Sequence, residues 1–509
     1  MTSVTVTSLA QSIYSGSSET LNEVDDEIVV EGNGVILESD SDSTVIGKNY
    51  SVDELYLEEP LSDYCLGGYH RGYVGEALGP DDRYVLLRKL GWGGYCTVWL
   101  AHDKRHNRHV AIKIHKSSSE YSYAARKELQ ILRKIQSVAR SSSHPGSPHI
   151  VELLDAFAHL GPHGLHVCLV FEPLNESLLS LLGQCHQGAT CNLKEVGTSC
   201  VKDGLPLELV KEVTRQVLLA LDFLHKECGI VHSDIKPENV MLEFPELPNK
   251  WDVVKFLHEY SLQEQKRNGD DFIKFTVSKP LPSPLFHTFT EDLDGFSKPD
   301  FAQACGKHWK DFFKVKLVDF GNACPLTNKT QGYNVQTFEY RAPEIFLQYP
   351  EWGYAADVWS TACLFSEMCT ARYLFRTENN WPQASSQLEL FSTTLGPASG
   401  AFLDKCILFK NYEHCVKNRQ FRSISENFKE ELGMERLLAQ RIEQFLMPML
   451  QWDPAERADA MTCANHPFLR NENLISIGKL KGAITKPLLT KTPLTKSFKK
   501  FLRAGSILN

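Results

Sequence analysis

The sequence lacks the long hydrophobic run that a membrane-spanning helix requires. No stretch of about 18 apolar residues occurs in the chain, so we expect no transmembrane segment and no membrane partner. The first residues show no basic stretch followed by an apolar core, so no secretory signal is expected. The 14 cysteines lack the short paired spacings of zinc sites and of small disulfide-rich domains. We therefore expect reduced thiols in a cytoplasmic or nuclear protein.

An overall excess of positive charge is also missing, although charge is unevenly distributed over the 509 residues. The net charge of −9 argues against a protein that coats nucleic acid, and no direct nucleic-acid partner is expected. Residues 1–60 carry 13 acidic residues and one basic residue, whereas residues 471–509 carry eight basic residues and one acidic residue. The acidic leader, placed at 1–62, has too little apolar surface to offset its ordering entropy and is predicted to be disordered.

The basic tail at 471–509 allows three interpretations. It is a solvated segment, a patch for an anionic partner or for nuclear import, or a helix on a membrane surface. Pro487 and Pro493 weaken the last interpretation, because proline interrupts helices.

The middle of the chain changes from a strand period to a helix period. Three β-rich runs at short spacing predict an antiparallel meander, at residues 84–90, 97–101 and 109–114. Apolar residues then recur at helical spacing around Glu128 and Val217, and residues 357–368 are apolar on nearly all sides, which predicts a buried helix. Between about 243 and 313 no period is sustained, which indicates an insert within a domain.

A glycine-rich turn joins the first two predicted strands. It reads Gly91-Trp92-Gly93-Gly94-Tyr95-Cys96-Thr97-Val98. Glycine lets a backbone approach a triphosphate closely and adopt positive φ. The third glycine of a G-x-G-x-x-G pattern is replaced by Cys96, and a strand follows where a dinucleotide-binding fingerprint needs a helix. By itself the turn is weak evidence for a nucleotide site.

Lys113 lies in an otherwise apolar strand, where an unpaired charge is costly to bury. We expect it to meet a phosphate and a carboxylate, and Glu128 on the inward face of the next helix supplies the carboxylate. Taken alone, a surface lysine and an unrelated glutamate would be the simpler interpretation. Three further motifs follow in order along the chain: His232-Ser-Asp234-Ile-Lys236-Pro-Glu-Asn239, Asp319-Phe-Gly321 and Ala342-Pro-Glu344.

With these motifs in this order, the sequence resembles the eukaryotic protein kinases. The resemblance implies an α+β, bilobal protein kinase fold, with a small β-rich N-lobe at about 63–172 and a larger, mainly helical C-lobe at about 173–470. The spacer insert at about 243–313 would divide the C-lobe. The implied activity is transfer of the ATP γ-phosphate to protein serine or threonine, with ATP and Mg²⁺ as cofactors. We expect a protein substrate and a monomeric chain.

The same resemblance assigns catalytic roles. Asp234 would accept or orient the proton of the substrate hydroxyl, and Lys236 would steady the γ-phosphoryl group. Asn239 and Asp319 would hold Mg²⁺. Lysine at 236 and Thr337 before the Ala-Pro-Glu motif both indicate serine/threonine rather than tyrosine specificity.

The implied ATP site lies between the lobes. Lys113 would contact the α and β phosphates and be held by Glu128. Phe171 would lie behind the adenine, and backbone atoms of Glu172 and Leu174 would meet its edge. The ATP-binding residues implied in this way are Leu90, Gly91, Trp92, Gly93, Gly94, Tyr95, Cys96, Thr97, Val98, Ala111, Lys113, Phe171, Glu172 and Leu174.

A narrower resemblance is to the SR-protein kinases, which phosphorylate serines in Arg/Ser-rich splicing factors. It covers about residues 63–470 and rests on motifs that include Asp63-Tyr-Cys-Leu-Gly-Gly-Tyr-His70, Gly321-Asn-Ala-Cys324 and Trp359-Ser-Thr-Ala-Cys363. It implies an Arg/Ser-rich protein substrate and placement in the cytoplasm and nucleus. Phe338 and Glu339 replace the Arg-Gln pair of the family's substrate-facing loop, so a serine/threonine kinase with other substrates is the alternative.

Four further positions carry expectations from the kinase resemblance. Ser233 stands where most regulated kinases place an arginine that binds a phosphorylated activation loop, so we predict activity without that phosphorylation. Glu344 and Arg457 would form a buried ion pair, and Asp357 would anchor the catalytic loop.

The alternative from another class is a pseudokinase scaffold. Such chains typically lose the phosphate-binding lysine, the catalytic aspartate or the metal-binding aspartate. All three are present here, as Lys113, Asp234 and Asp319.

Overall fold

The structure is a computed structural model that describes residues 58–186, 201, 203–243, 278, 281, 310, 313–326, 332–376, 383–416 and 420–470. The predicted leader up to residue 57, the basic tail and nearly all of the spacer lie outside these described residues. The described chain forms two lobes, one built on a sheet and one on helices. The α+β, two-lobed architecture expected from the sequence is confirmed. No helix in the described ranges is long and apolar enough to span a membrane.

The smaller lobe is a six-stranded antiparallel sheet with one long helix packed against it. The strand order is β1-β2-β3-β4-β6-β5. The strands are β1 (Ala77–Leu78), β2 (Tyr84–Gly93), β3 (Cys96–Asp103), β4 (Arg108–His115), β5 (Leu153–Gly161) and β6 (Gly164–Phe171), and helix α1 spans Ser119–Ala139. The predicted meander is therefore confirmed as β2, β3 and β4. Every second side chain of these strands can pack into one core, which holds Trp99, Ile112 and Phe157.

The larger lobe is helical and surrounds a buried central helix. Its helices are α2 (Leu178–His186), α3 (Leu207–Phe223), α4 (Pro343–Phe346), α5 (Ala355–Thr370), α6 (Ala384–Leu395), α7 (Gly400–Leu403), α8 (Phe409–Val416), α9 (Ile424–Leu432), α10 (Arg436–Leu446) and α11 (Ala460–Ala464). Every α5 residue from Ala356 to Thr370 is buried, as its apolar surface predicts.

Two pairs of short antiparallel strands frame the loop that carries Asp234. They are β7 (Ile230–Val231) with β10 (Cys324–Pro325), and β8 (Val240–Leu242) with β9 (Val315–Leu317). Before β7, helix α3 continues into a π-helical turn, Leu224–Cys228, which ends at Gly229 with φ of 65°. Glycine adopts this left-handed conformation without a steric penalty, so the chain can reverse here and enter the loop.

The predicted ion pair between Glu344 and Arg457 is confirmed, and it is fully buried. The guanidinium donates from Nη1 to Oε1 at 2.6 Å and from Nη2 to Oε2 at 2.8 Å. Arg457 also donates to the carbonyls of Ala355 and Gln451, at 2.7 and 2.9 Å, and its guanidinium lies 5.2 Å from the ring centre of Trp359. The pair thus joins α4, the start of α5 and the chain before α11.

We predict that Arg457→Met lowers the free energy of unfolding by about 3–5 kcal/mol, because the Glu344 carboxylate would stay buried without its partner. Denaturant unfolding measures the loss. The double variant Glu344→Leu/Arg457→Met should recover part of it, since no lone charge remains.

The control is Arg422→Met, which removes an exposed arginine paired with Glu430 and Glu431. It should leave the unfolding midpoint nearly unchanged, since exposed ion pairs contribute little. Equal midpoints for Arg457→Met and wild type would contradict the role given to the buried pair.

Candidate active site

The loop carrying Asp234 is anchored by the buried carboxylate of Asp357 on α5. The backbone N–H groups of His232 and Ser233 donate to Oδ2 and Oδ1, each at 2.8 Å. Nε2 of His225 lies 2.8 Å from Oδ2. Ser233 is held at φ of 62°, a left-handed conformation that is uncommon outside glycine. The predicted anchoring role of Asp357 is thus visible as three contacts to one carboxylate.

Four polar side chains lie close together next to the anchored backbone of the loop: those of Asp234, Lys236, Asn239 and Thr337. Thr337 Oγ1 donates to Asp234 Oδ1 at 2.7 Å, and Asn239 Nδ2 donates to Asp234 Oδ2 at 3.2 Å and to its carbonyl at 2.8 Å. Lys236 Nζ lies 3.1 Å from Asp234 Oδ2 and donates to Thr337 Oγ1 at 3.0 Å. The carboxylate of Asp234 is therefore fixed in orientation, with a cation beside it.

A second cluster joins the two lobes through Lys113. Its Nζ donates to both oxygens of Glu128, at 2.8 and 2.9 Å, and to Asp319 Oδ1 at 2.9 Å. Lys113 lies in β4, Glu128 in α1, and Asp319 follows β9 in the larger lobe. The carboxylate partner expected for this lysine is present, and a second carboxylate from the other lobe completes the cluster.

Lys113 and the two carboxylates, Glu128 and Asp319, stabilise one another in their ionised forms. Burial acts to lower the pKa of Lys113, but the charges of Asp319 and Glu128 raise it well above its usual value. The charge of Lys113 holds the pKa of Asp319 well below its usual range, although 44% of the Asp319 side chain is open to the cleft. Burial acts to raise the pKa of Glu128, and Lys113 and His115 lower it overall. All three principal groups are ionised at neutral pH, so the cluster offers one fixed cation and one exposed carboxylate.

The glycine-rich turn is the tip of the hairpin formed by β2 and β3, just after a register shift between Lys89 and Gly91. Residues 90–93 end β2, residues 96–98 begin β3, and Gly93 pairs with Cys96 across the two strands. A Cβ atom on Gly91, Gly93 or Gly94 would meet no atom within 4 Å, so this surface is open for a ligand to approach the backbone.

Of the two properties of glycine that suit a phosphate-binding turn, these glycines do not use the freedom to adopt positive φ. None of the three is among the positive-φ residues of the described chain, because regular strand pairing continues to the tip of the hairpin. Their contribution is open space next to the backbone. Cys96 is buried, and burial raises the pKa of its thiol to about 12, so it is a neutral packing residue.

The predicted adenine-binding segment follows β6. Phe171 is the last residue of this strand and pairs in register with Ala111 of β4. The Glu172 N–H donates to the Glu152 carbonyl at 3.2 Å, and the Glu172 carboxylate accepts from Lys316 Nζ at 2.6 Å. The Glu172 side chain is therefore occupied by protein groups. Leu174 is buried, and the nucleotide contacts of this segment stay predictions.

Magnesium is compatible with the oxygen donors at the cleft. Asp319 offers a carboxylate, and both hydrogen bonds of the Asn239 side chain come from Nδ2, so the amide oxygen is the atom available to a cation. The Val318 N–H donates to the Asn239 carbonyl at 3.0 Å, which brings the two donors to one edge of the β8–β9 pair. Carboxylate and amide oxygens are the ligand types that Mg²⁺ prefers.

Sequence reasoning missed three residues that support the site. His115 is buried, and its Nε2 lies 3.2 Å from Glu128 Oε2. Because His115 follows Lys113 by two residues in a strand, the sequence could have indicated that both side chains lie on the same face of the sheet. Tyr69 donates its hydroxyl to the Gly93 carbonyl at 2.8 Å. No local pattern in the sequence indicates that contact.

Gln336 is the third missed residue, and it uses its backbone and side chain together. It is held at φ of 64°, and its N–H donates to the Ser233 carbonyl at 3.0 Å. Its Nε2 donates to the Ala356 carbonyl at 3.0 Å and to Ser360 Oγ at 2.8 Å, while Oε1 accepts from the Ala342 N–H at 3.0 Å. The segment before Ala342 is thus tied to the catalytic loop and to α5 by uncharged hydrogen bonds.

Comparison with known proteins agrees with this geometry. The protein kinase domain family model matches residues 84–253 and 307–469, so an insert divides the domain. Protein kinase dsk1 of Schizosaccharomyces pombe is 32% identical, over 89% of this chain and 92% of that protein. Serine/threonine-protein kinase SRPK of Physarum polycephalum is 34% identical, over 81% of this chain and 91% of that protein. SRSF protein kinase 3 of Homo sapiens is 26% identical, over 82% of this chain and 91% of that protein.

The two-lobed fold and the matched domain define a protein kinase. Within that class, the chain belongs to the SRPK family of serine/threonine protein kinases. Protein kinases use ATP and a divalent metal ion.

We predict that Asp234→Asn abolishes phosphoryl transfer while the fold and nucleotide binding persist. The amide can keep the hydrogen bond from Thr337 but cannot take up the substrate proton, which costs about 10²-fold or more in turnover. Turnover, nucleotide affinity and the thermal midpoint are measured together. Asp404→Asn, at an exposed aspartate of the same lobe, is the matched control. Retained turnover in Asp234→Asn would overturn the assignment of the base.

Proposed function

We propose that this kinase phosphorylates serines flanked by basic residues, as in Arg/Ser-rich proteins. The observation that carries the proposal is an acidic group formed by Glu238 of the catalytic loop, Glu339 of the substrate-facing loop and Glu367 of α5. Burial, together with the charges of Glu238 and Glu339, raises the pKa of Glu367 to about 7, although the hydrogen bond from Tyr340 acts to lower it. The charges of Glu238 and Glu339 thus act on Glu367, and a cationic side chain bound here would offset that repulsion.

The charges of Glu367 and Glu238 also act on Tyr340, which lies directly after Glu339 in the substrate-facing loop. Tyr340 donates its hydroxyl to Glu367 Oε2 at 2.5 Å. Burial raises the pKa of this tyrosine, and the charges of Glu367 and Glu238 add to the shift. Glu238 is exposed and Glu339 is half-buried, so both are open to a peptide beside Asp234. One relative carries the name SRSF protein kinase, which agrees with a basic, serine-containing substrate.

We assign the transfer step to the side chains described above, acting with ATP and a divalent cation. Asp234 orients the serine hydroxyl and takes up its proton as the serine oxygen bonds to the γ-phosphorus and the bond to the ADP oxygen breaks. Lys236, held by Thr337, stabilises charge on the transferred group, and Lys113 does so at the other phosphates. A divalent cation bound by Asn239 and Asp319 would neutralise charge between the phosphates.

We further propose that activity needs no phosphate on the activation segment. Ser233 Oγ donates to the Asn322 carbonyl at 2.6 Å. An arginine at this position would need an anionic partner such as a phosphate, whereas this hydroxyl is satisfied by a backbone carbonyl. The Gln336 contacts with Ser233 and Ser360 support the same arrangement from the other end of the segment. Family resemblance also leads us to propose a monomer that occurs in the cytoplasm and nucleus.

The substrate proposal predicts a higher kcat/KM for an Arg/Ser-repeat peptide than for acidic or proline-directed serine peptides. Glu339→Gln should reduce kcat/KM for the Arg/Ser peptide by about tenfold, the loss expected for one charge-assisted contact. The kcat/KM of Glu339→Gln for the acidic peptides should not fall.

Glu351→Gln is the matched control, because it removes an exposed glutamate elsewhere on the same lobe. Equal kcat/KM for all peptides would favour a serine/threonine kinase with other substrates. Binding of ATP without transfer to any peptide would indicate a pseudokinase scaffold.

A further inference from the structure

A cluster of histidines lies in the smaller lobe, outside the catalytic residues described above. His70 lies in the segment before β1, and Glu76 directly precedes β1. His159 in β5 and His166 in β6 are direct partners in the antiparallel register, so their side chains lie on the same face of the hairpin. The segment before β1 therefore meets the β5–β6 hairpin through imidazole and carboxylate groups.

The metal-binding atoms of His70, Glu76 and His159 lie within 4.8 Å of one another. His70 Nε2 is 3.1 Å from Glu76 Oε1 and 3.2 Å from Oε2. The ring centre of His70 is 4.9 Å from that of His159 and 5.1 Å from that of His166. Small side-chain rotations would bring the three donor groups to one ion.

Burial distinguishes this cluster from a chance group of surface residues. His70 is 1% exposed and His166 is 0% exposed, while Glu76 and His159 are half-buried. Nε2 of His166 has no hydrogen-bond partner in the described part of the chain, although its Nδ1 lies 2.8 Å from the His115 carbonyl. A buried polar atom without a partner is unfavourable by about 1–3 kcal/mol. The His166 ring thus lies beside the cluster with an unpartnered nitrogen, although it is not one of the three residues whose metal-binding atoms lie within 4.8 Å of one another.

Gly161 preserves the space that these rings occupy. A Cβ atom at this position would lie 2.5 Å from His70 Nδ1 and 3.3 Å from His166 Cδ2. Any larger residue would push the imidazoles apart. The hairpin backbone is therefore shaped around the histidine cluster.

We propose that His70, Glu76 and His159 form a binding site for a Zn²⁺ ion. Two imidazoles and one carboxylate are a donor set that Zn²⁺ accepts with four-coordinate geometry, and water can complete it. Mg²⁺ and Ca²⁺ prefer sites made of oxygen donors, so this site differs in chemistry from the one at Asn239 and Asp319.

The ion would act on the fold through the segment that contains His70. The preceding residue, Tyr69, donates to the Gly93 carbonyl of the glycine-rich hairpin, and His163 Nδ1 lies 2.7 Å from the Tyr69 carbonyl. Binding at His70 would link this segment to β5. Zinc should therefore stabilise the native chain against unfolding, whatever the substrate of the kinase.

The test is zinc binding by the purified full-length chain after chelation and dialysis. Metal content is measured at a defined free Zn²⁺ concentration with excess Mg²⁺, for wild type, His159→Gln and Glu76→Gln. Each variant should hold about one zinc equivalent fewer than wild type, because three protein donors are needed for a stable site. Zinc should raise the thermal midpoint of wild type more than that of either variant.

The matched control is His102→Gln. His102 also faces a histidine across an antiparallel pair, His109 at 5.8 Å between ring centres, but it is not part of the His–Glu–His cluster. This variant should bind zinc as wild type does. The visible spectrum of the Co²⁺ form should show nitrogen and oxygen ligation that is lost in His159→Gln. Equal zinc content and equal zinc-induced midpoints in wild type and both cluster variants would overturn the proposal.

Discussion

The buried carboxylate of Asp357 is the interaction on which the rest of the site depends. It accepts two consecutive backbone N–H groups from His232 and Ser233, and it lies beside His225 at the end of α3. These contacts offset the unfavourable left-handed conformation of Ser233 and leave Asp234 directed into the cleft. Because Asp357 lies in the completely buried helix α5, the catalytic aspartate is positioned from the core of the larger lobe.

Lys113 provides the matching constraint from the smaller lobe. A buried lysine with one carboxylate would be a local ion pair, but the additional contact with Asp319 crosses between the lobes. The cation is fixed between two carboxylates that stay ionised at neutral pH. An ammonium group and a partly exposed carboxylate, the chemical groups that suit a phosphate and a metal ion, thus lie together at the junction of the two lobes.

Much of this arrangement could be predicted because it follows from local pattern or from the cost of burying charge. The strand meander follows from hydrophobic alternation, and the Lys113–Glu128 pair follows from a lysine in an apolar strand. The contacts of Gln336 and Tyr69 could not be predicted, because each joins segments brought together only by the tertiary fold. The cluster of His70, Glu76 and His159 could not be predicted either, because the tertiary fold brings these residues together from distant parts of the sequence. The glycines of the turn do not adopt positive φ, because strand pairing prevails over the intrinsic freedom of glycine.

We propose that uncharged hydrogen bonds hold the activation segment against the catalytic loop, with Ser233 and Gln336 in place of a phosphate–arginine pair. The most direct measurement is kcat of the purified wild-type enzyme before and after complete phosphatase treatment, with dephosphorylation verified by mass spectrometry. We expect nearly the same kcat in both states, because none of these contacts involves a phosphate group. A fall of about tenfold or more, equivalent to about 1.4 kcal/mol in the activation barrier, would contradict it.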